Sequence, residues 1–454
     1  MRYTYRLVES PVLICNKTGA SRVMSGHDAV SKPMNITKKI FITAVLALAA
    51  GPAAAGRELA LSWDEALRLA AQHNPSVKAA RASMEQAGYN YLASLNSYLP
   101  AVSVSHSVSR SGGDNSSPSS RWGASITASE DLLNLRTVSS VKTSRISREK
   151  AEADYRGACA SARQTLAGAF TGLLFAQRRV EVQKKIFTIR EANAKLIRLK
   201  YESGMESKGN ALYTEALAEN SAVSVKKAER QVSSAQRALL EALGLEDPSP
   251  VRATGDISVP SFEIDEAAMI MALEQSPRMV AAKKTLEAAK ERVSSARYYA
   301  YPSLRASGSY GWSGDYEFPE TKSWSMGLSL SIPLFSGGPT YYFRNLSANK
   351  QALTAAEENY KAVRIALAAS LRTGYEDYLS AAETALASVS LLKANEERYK
   401  EARIKYMAGK ISFLDLESVE QNFVDSDLNQ LDYARSAHSR KEALEQLLGI
   451  GVEK

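Results

Sequence analysis

The seven residues Arg198-Leu-Lys-Tyr-Glu-Ser-Gly204 return as Arg403-Ile-Lys-Tyr-Met-Ala-Gly409. Arg198, Lys200, Tyr201, Gly204 and Ser207 each find an identical residue 205 positions later. The flanks repeat too. Trp63-Asp-Glu-Ala66 and Ala238-Leu239…Leu243-Gly244 bracket one copy, and Ile264-Asp-Glu-Ala267 and Ala443-Leu444…Leu448-Gly449 bracket the other. A chain that repeats itself once at this period is two copies of one structural unit, so its fold has to be pseudo-symmetric.

Residues 34–55 are expected to be a signal peptide. Lys38 and Lys39 supply a basic start, Ile40 to Ala50 an apolar core, and Ala53-Ala54-Ala55 a small-residue cleavage site before Gly56. Residues 1–33 then read as an over-called start or an extension. No cysteine follows the cleavage site to carry a lipid anchor, and Cys15 follows Ile14, too large for that cleavage position. The full chain carries a formal net charge of +8. Setting aside residues 1–55, with seven Lys/Arg and two Asp/Glu, leaves 50 basic and 47 acidic residues, a net of +3. No basic nucleic-acid surface is indicated. Cys159 is the one cysteine after the cleavage site, so no disulfide forms within the mature chain.

The remainder divides into a first repeat at 56–245, a linker at 246–261 and a second repeat at 262–454. Each repeat reads as short helix, medium helix, two strands, very long helix, long helix. Ser62 and Glu65 make a capping box, and Asn74-Pro75 and Ser276-Pro277 start the medium helices, with proline at its tolerated first position. After Pro100 and Pro302 the apolar period switches from 3.6 to 2. Strands are expected at about 101–110, 121–130, 303–313 and 324–333, with turn-rich loops at 111–118 and 313–319. Trp324, Met326, Leu328, Leu330 and Ile332 alternate without error with Ser and Gly.

Four such strands fit two readings. They could form a half-buried sheet, or the strands of a transmembrane barrel, which need about 9–11 residues with lipid on one face and water on the other. The signal peptide, the small polar side chains of the second face and the aromatic residues near strand ends favour the membrane. Four strands cannot close a barrel, and an open edge is not viable in lipid. A transmembrane reading therefore requires an oligomer, and a trimer would supply twelve strands. The proline-free stretches from Thr137 to Tyr201 and from Tyr341 to Tyr406 would each run roughly 95–100 Å as helix. Leu346, Leu353, Ala356, Tyr360, Val363 and Leu367 mark a coiled-coil seam.

The order of these features, with Tyr-x-x-Gly turns and Ser331-Ile-Pro-Leu-Phe-Ser-Gly-Gly338 leaving the last strand, resembles the TolC-like outer-membrane efflux protein family across the mature chain. The resemblance implies a mainly α fold with a transmembrane β portion, in which each repeat contributes two barrel strands and long coiled-coil helices. It implies a homotrimer closing a 12-stranded β-barrel and a 12-helix α-barrel in the outer membrane of a Gram-negative bacterium, with a large periplasmic portion. It further implies contact with outer-membrane lipid, a periplasmic adaptor (membrane fusion protein) and an inner-membrane efflux or secretion pump, for which the channel is a passive exit duct for small toxic molecules. A type I protein or peptide secretion duct is the alternative within the same class. A soluble periplasmic coiled-coil scaffold is the alternative outside it.

No catalytic, cofactor-binding or metal-binding constellation is found. His73, His106 and His438 are isolated, and Gly204-x-x-x-x-Gly209-Asn210 lacks the Lys and Ser/Thr of a phosphate loop. The resemblance places Asp415 as the candidate for an acidic ring at the periplasmic entrance. Ser418 stands where a second acid is expected, Asn210 is the first-repeat equivalent of Asp415, and Asp415, Glu417 and Glu420 read equally as a solvated face. Arg198, Tyr201, Gly204, Arg403, Tyr406 and Gly409 are candidates for tip geometry and adaptor docking. Trp122, Trp312, Trp324 and Phe335 are candidates for interfacial aromatics.

Overall fold

The computed structural model describes residues 59–114, 116–246, 250–259, 266–317, 320–334 and 337–452. The expected signal peptide, the segment before it and Phe335 lie outside the described residues. Helix α1 (Trp63–His73) begins at the Ser62/Glu65 capping box and stops where Asn74 caps α2 (Pro75–Leu95). Asn74 has two tasks: its Oδ1 accepts from the backbone N–H groups of Ser76 and Val77, and its Nδ2 donates to the Ala242 carbonyl at 2.8 Å.

Antiparallel strands β2 (Ala101–Gly113) and β3 (Ser116–Leu133) follow, and then α3 (Leu135–Glu202) and α4 (Lys208–Leu243). The second repeat contributes α5 (Glu266–Gln275), α6 (Pro277–Tyr298), β5 (Ser303–Gly314), β6 (Thr321–Ser331), α7 (Tyr341–Met407) and α8 (Phe413–Leu447). The first hairpin is longer than its sequence suggests. Pairing continues from Ser111↔Ser119 to Gly113↔Ser116, with a register shift between them, so the expected loop is mostly strand. Serine and glycine carry no period-two apolar signal there, and Pro118 sits at the irregularity, where a missing N–H is tolerated.

The expected linker also contains structure. Strand β4 (Val251–Ala253) pairs in parallel with β1 (Leu59–Leu61), and the Thr254 N–H donates to the Leu61 carbonyl at 2.9 Å. Three-residue strands are too short to show a period. They seat on a core of Leu166, Phe170, Leu173, Leu239 and Leu243. A fully buried leucine of this kind stabilises the fold by about 1.5–3 kcal/mol.

Helix α3 packs on both α4 and α8, and α7 packs on α8, so the four long helices stand in the row α4–α3–α8–α7. The 68 residues of α3 span about 100 Å. Along that length α2 continues the line of α4. The joint is tight because Gly244, at φ +75°, would bring a Cβ within 2.7 Å of the His73 carbonyl and the Pro75 Cδ. The second repeat makes the same joint between α8 and α6. A Cβ on Gly449, at φ +79°, would lie 2.3 Å from the Pro277 Cδ. Among the described residues no helix is long and apolar enough to cross a membrane.

Candidate functional site

The sheet has strand order β2-β3-β5-β6, every pair antiparallel, with β2 and β6 at its edges. Directly opposed residues share a face. One face carries rows such as Val104/Ile126/Tyr310/Trp324 and Val102/Ala128/Gly308/Met326. The other carries Ser103/Thr127/Ser309/Ser325 and Ser105/Ser125/Gly311/Ser323. Its hydroxyls bond across strands, Ser103 to Thr127 at 2.6 Å, Ser105 to Ser125 at 2.8 Å and Ser309 to Ser325 at 2.8 Å. The apolar face is bare in the single chain: Val104 is 77% exposed, Met326 84% and Leu328 71%.

Trp122, Trp312 and Trp324 all lie on that apolar face, in three successive rows toward the hairpin turns. Trp122 stacks on His106 at 5.9 Å, and Trp312 meets Tyr310 edge-on at 4.9 Å. A second aromatic group, at the opposite end of the strands, was not singled out from the sequence. Tyr298 packs on Tyr301, Tyr299 on Tyr341, and Tyr342 on Phe343, where the helices meet the sheet. Its signal was the clustering of Tyr298-Tyr-Ala-Tyr301 before Pro302 and of Tyr341-Tyr-Phe343 after the last strand. From Tyr301 to Trp312 the chain advances about 37 Å at 3.4 Å per residue.

At the far end, both helical hairpins turn on a left-handed glycine. Gly204 at φ +75° and Gly409 at φ +70° are followed by backbone bonds from Met205 to the Lys200 carbonyl and from Lys410 to the Lys405 carbonyl, which close Schellman turns. A Cβ at either glycine would meet nothing within 4 Å. Conformation alone selects glycine here.

The two turns are bound together by side chains of unequal kind. Tyr406 is buried at 3% exposure, and its hydroxyl donates to Glu206 Oε1 at 2.7 Å. Lys200 donates to the Tyr406 carbonyl at 3.0 Å and sits 4.0 Å from the centre of its ring. Burial, then the bond to Glu206, push the Tyr406 phenol up from its ordinary value. Tyr201 packs at the margin of the same cluster, which holds Ile197, Tyr399, Phe413, Leu416 and Phe423. Arg198 bonds Glu202 at 3.0 Å and reaches across its own hairpin to Glu215 at 2.6 Å. Arg403 is exposed.

Asp415 is exposed, and its carboxylate is engaged locally. Its Oδ2 accepts from the Ser412 backbone N–H at 3.0 Å and from the Ser412 hydroxyl at 2.7 Å, forming the capping box of α8. Those bonds hold its carboxyl below the usual range. The solvated-face reading needs correcting at Glu420. Glu417 accepts from the Tyr213 hydroxyl at 2.7 Å, and Glu420 is buried at 8% exposure, bonded to Asn193 and facing Arg190. Glu420 points into α3 rather than into water, and burial pushes its carboxyl up. Among the described residues no group of His, Cys, Asp and Glu gathers as metal ligands.

Residues 66–245 and 269–450 match the family model for outer membrane efflux proteins. The chain is 24% identical over 304 residues to the cobalt-zinc-cadmium resistance protein CzcC of Cupriavidus metallidurans, covering 66% of this chain and 71% of the relative. In structure it resembles the open state of the Neisseria gonorrhoeae MtrE outer membrane channel, at TM-score 0.75 and 20% identity over 86% of this chain and 89% of that one. It also resembles the Campylobacter jejuni CmeC outer membrane channel, at TM-score 0.76 and 18% identity over 86% of each.

Proposed function

The chain belongs to the outer membrane efflux protein family, TolC-like in sequence order and fold, and on that footing we propose that three copies assemble into a passive exit duct for an inner-membrane pump. The observation that carries this reading is the sheet: its bare apolar face suits lipid, but its two edges, unpaired among the described residues, do not. Three copies supply twelve strands, which close a barrel, and three rows of four helices, which continue it as a tunnel. The aromatic groups at the two ends of the strands fit the two lipid–water interfaces, and the serine face fits a wet lumen. No bond is made or broken in such a duct.

Family membership places the protein in the outer membrane and so removes the soluble scaffold reading. The two glycine turns are the surface presented to a periplasmic adaptor, and Asp415 offers one acidic position per copy near the entrance. Three copies of a single carboxylate, already bonded to Ser412, make a weak field, so cation selection at this ring is modest. The generic hydroxyls of the sheet fit many small solutes. The name of the CzcC relative makes cobalt, zinc and cadmium the first solutes to test.

The test is deletion and complementation in the native host, reading cell-associated cobalt, zinc, cadmium and a fluorescent dye together with the proteins of the medium. Solute accumulation that rises on deletion and falls on complementation is expected. Loss of a protein from the medium with unchanged solutes would favour the secretion duct. No change in either would contradict the duct.

A further inference from the structure

Two neighbouring acids on β3 have opposite surroundings. Asp131 stands on the serine face opposite Arg305, where its carboxylate pairs with the guanidinium at 2.6 Å and accepts from Asn134 at 3.0 Å. Glu130 stands on the apolar face, in the row of Ala306 and Leu328. It is half-buried, and its carboxylate makes no hydrogen bond or ion pair among the described residues. The nearest cation on that face of the strands, Lys322, opposes Trp312, three rows nearer the hairpin turns. Six residues of strand put it about 20 Å away.

Glu130 also lies inside the apolar band rather than at its rim. Leu304 and Leu330 form the next row toward the helices, and Tyr301 stands three residues beyond Leu304. A charge at such a place in lipid is kept where it has a partner. Beside Glu130 the face sinks into a depression of about 650 Å³. Ala128, Ala306 and Gly308 floor it, Met326 and Leu328 of β6 wall one side, and Pro100 bounds the other. Glu130 is at the end nearer the helices. The floor leads away from it past Ala128 and Gly308 to the larger Ile126 and Tyr310 in the next row.

We propose that this depression seats a phospholipid of the periplasmic leaflet whose headgroup carries a primary ammonium. The ammonium rests on the Glu130 carboxylate, and an acyl chain lies over Ala128 and Gly308. The helices mark the periplasmic end of the sheet, so Glu130 is on the headgroup side of that leaflet and the floor leads toward the middle of the membrane. About 7 Å of strand separates Glu130 from the rim, a gap that its side chain and the headgroup close together. A lipid of the other leaflet would enter from the hairpin turns and bring its headgroup to Lys322 instead. A bare metal ion fits less well, because a single carboxylate offers too few ligands and no group of His, Cys, Asp and Glu gathers there among the described residues. An aminophospholipid supplies the missing countercharge and covers the apolar floor with one molecule. The pair gains strength because water is scarce around it. This site rests on the transmembrane reading above and adds to it a lipid class and a place on the wall.

Native mass spectrometry tests it on the mature protein, released from detergent micelles that hold equal amounts of phosphatidylethanolamine and phosphatidylglycerol. The wild type is expected to leave as a three-copy particle that retains phosphatidylethanolamine several-fold over phosphatidylglycerol. Glu130→Gln should abolish that preference, and Glu130→Lys should invert it. Gly308→Leu fills the floor and leaves the charge untouched. A Cβ there would stand 3.8 Å from the Met326 Cγ, an ordinary contact, so the strand accepts the larger side chain. Retained phosphatidylethanolamine should fall several-fold in that variant, and unchanged retention would overturn the placement of the acyl chain. Three-copy particles with one lipid ratio in wild type and Glu130→Lys would overturn the site and leave the duct reading standing. A one-copy particle from the wild type would overturn the duct reading and the site together.

Discussion

Tyr406 is the most constrained side chain at the tip, held by Glu206 through its hydroxyl and by Lys200 through its carbonyl and ring face. Replacing it with Phe keeps the buried ring and removes the bond to Glu206, at a cost of about 1 kcal/mol. The expected outcome is faster amide exchange in residues 200–210 with native mass unchanged, and exchange equal to wild type would contradict the tie. Glu442 carries a different consequence. Burial raises its carboxyl to about 7, against the bond from Thr171. A folded pKa above the unfolded value means that its contribution is full below the unfolded value near 4.5 and is lost as pH rises through 7. Glu442→Gln should therefore flatten the fall in thermal midpoint between pH 5 and pH 8, and an unchanged fall would assign that pH dependence elsewhere. The sequence marked neither pairing. Tyr406 and Gly409 were legible as turn residues, but the bond Tyr406 donates to Glu206 and the one it accepts from Lys200 join residues roughly two hundred positions apart. Asp415 was legible as an acid near the entrance. That its carboxylate caps α8 follows from Ser412 three residues before it, a box already recognised at Ser62 and Glu65 but not at this helix.

Among the elements, the four left-handed glycines that end long helices separate by what surrounds them. Gly409 has open space, so Gly409→Ala pays only for the left-handed backbone, about 1 kcal/mol. Gly449 has the Pro277 ring 2.3 Å from where a Cβ would stand, so Gly449→Ala adds a clash and costs about 3 kcal/mol. Thermal unfolding should show a small shift for the first and a loss of several degrees or of folded yield for the second. Equal effects would mean that the α8–α6 joint yields freely. Gly409→Ala should also weaken coupling to the pump, measured as solute accumulation, while leaving assembly intact. The long helices were legible because their proline-free runs and terminal glycines leave few alternatives. The strands were legible where Val, Leu and Trp alternate with Ser. They were not where β2 and β3 continue through Ser and Gly, or where β1 and β4 are three residues long. Backbone pairing there has no side-chain period to announce it.

At the scale of the whole molecule, pseudo-symmetry was the first thing the residues disclosed, and it organises everything else. Two units side by side leave one unsatisfied face at each end of the helical row and of the sheet. The bare apolar face asks for lipid, and the paired glycine turns, about 100 Å of helix away, ask for a periplasmic partner. What the sequence withheld was the pairing of α3 with α8, whose ion pairs join residues more than two hundred positions apart. The central claim is that the single chain is a third of a channel. Its most direct test is the native mass, by light scattering corrected for detergent, of mature protein extracted from separated outer membranes. Three copies per particle is the expected result. A single copy, recovered from the soluble periplasmic fraction, would contradict the barrel and the duct together.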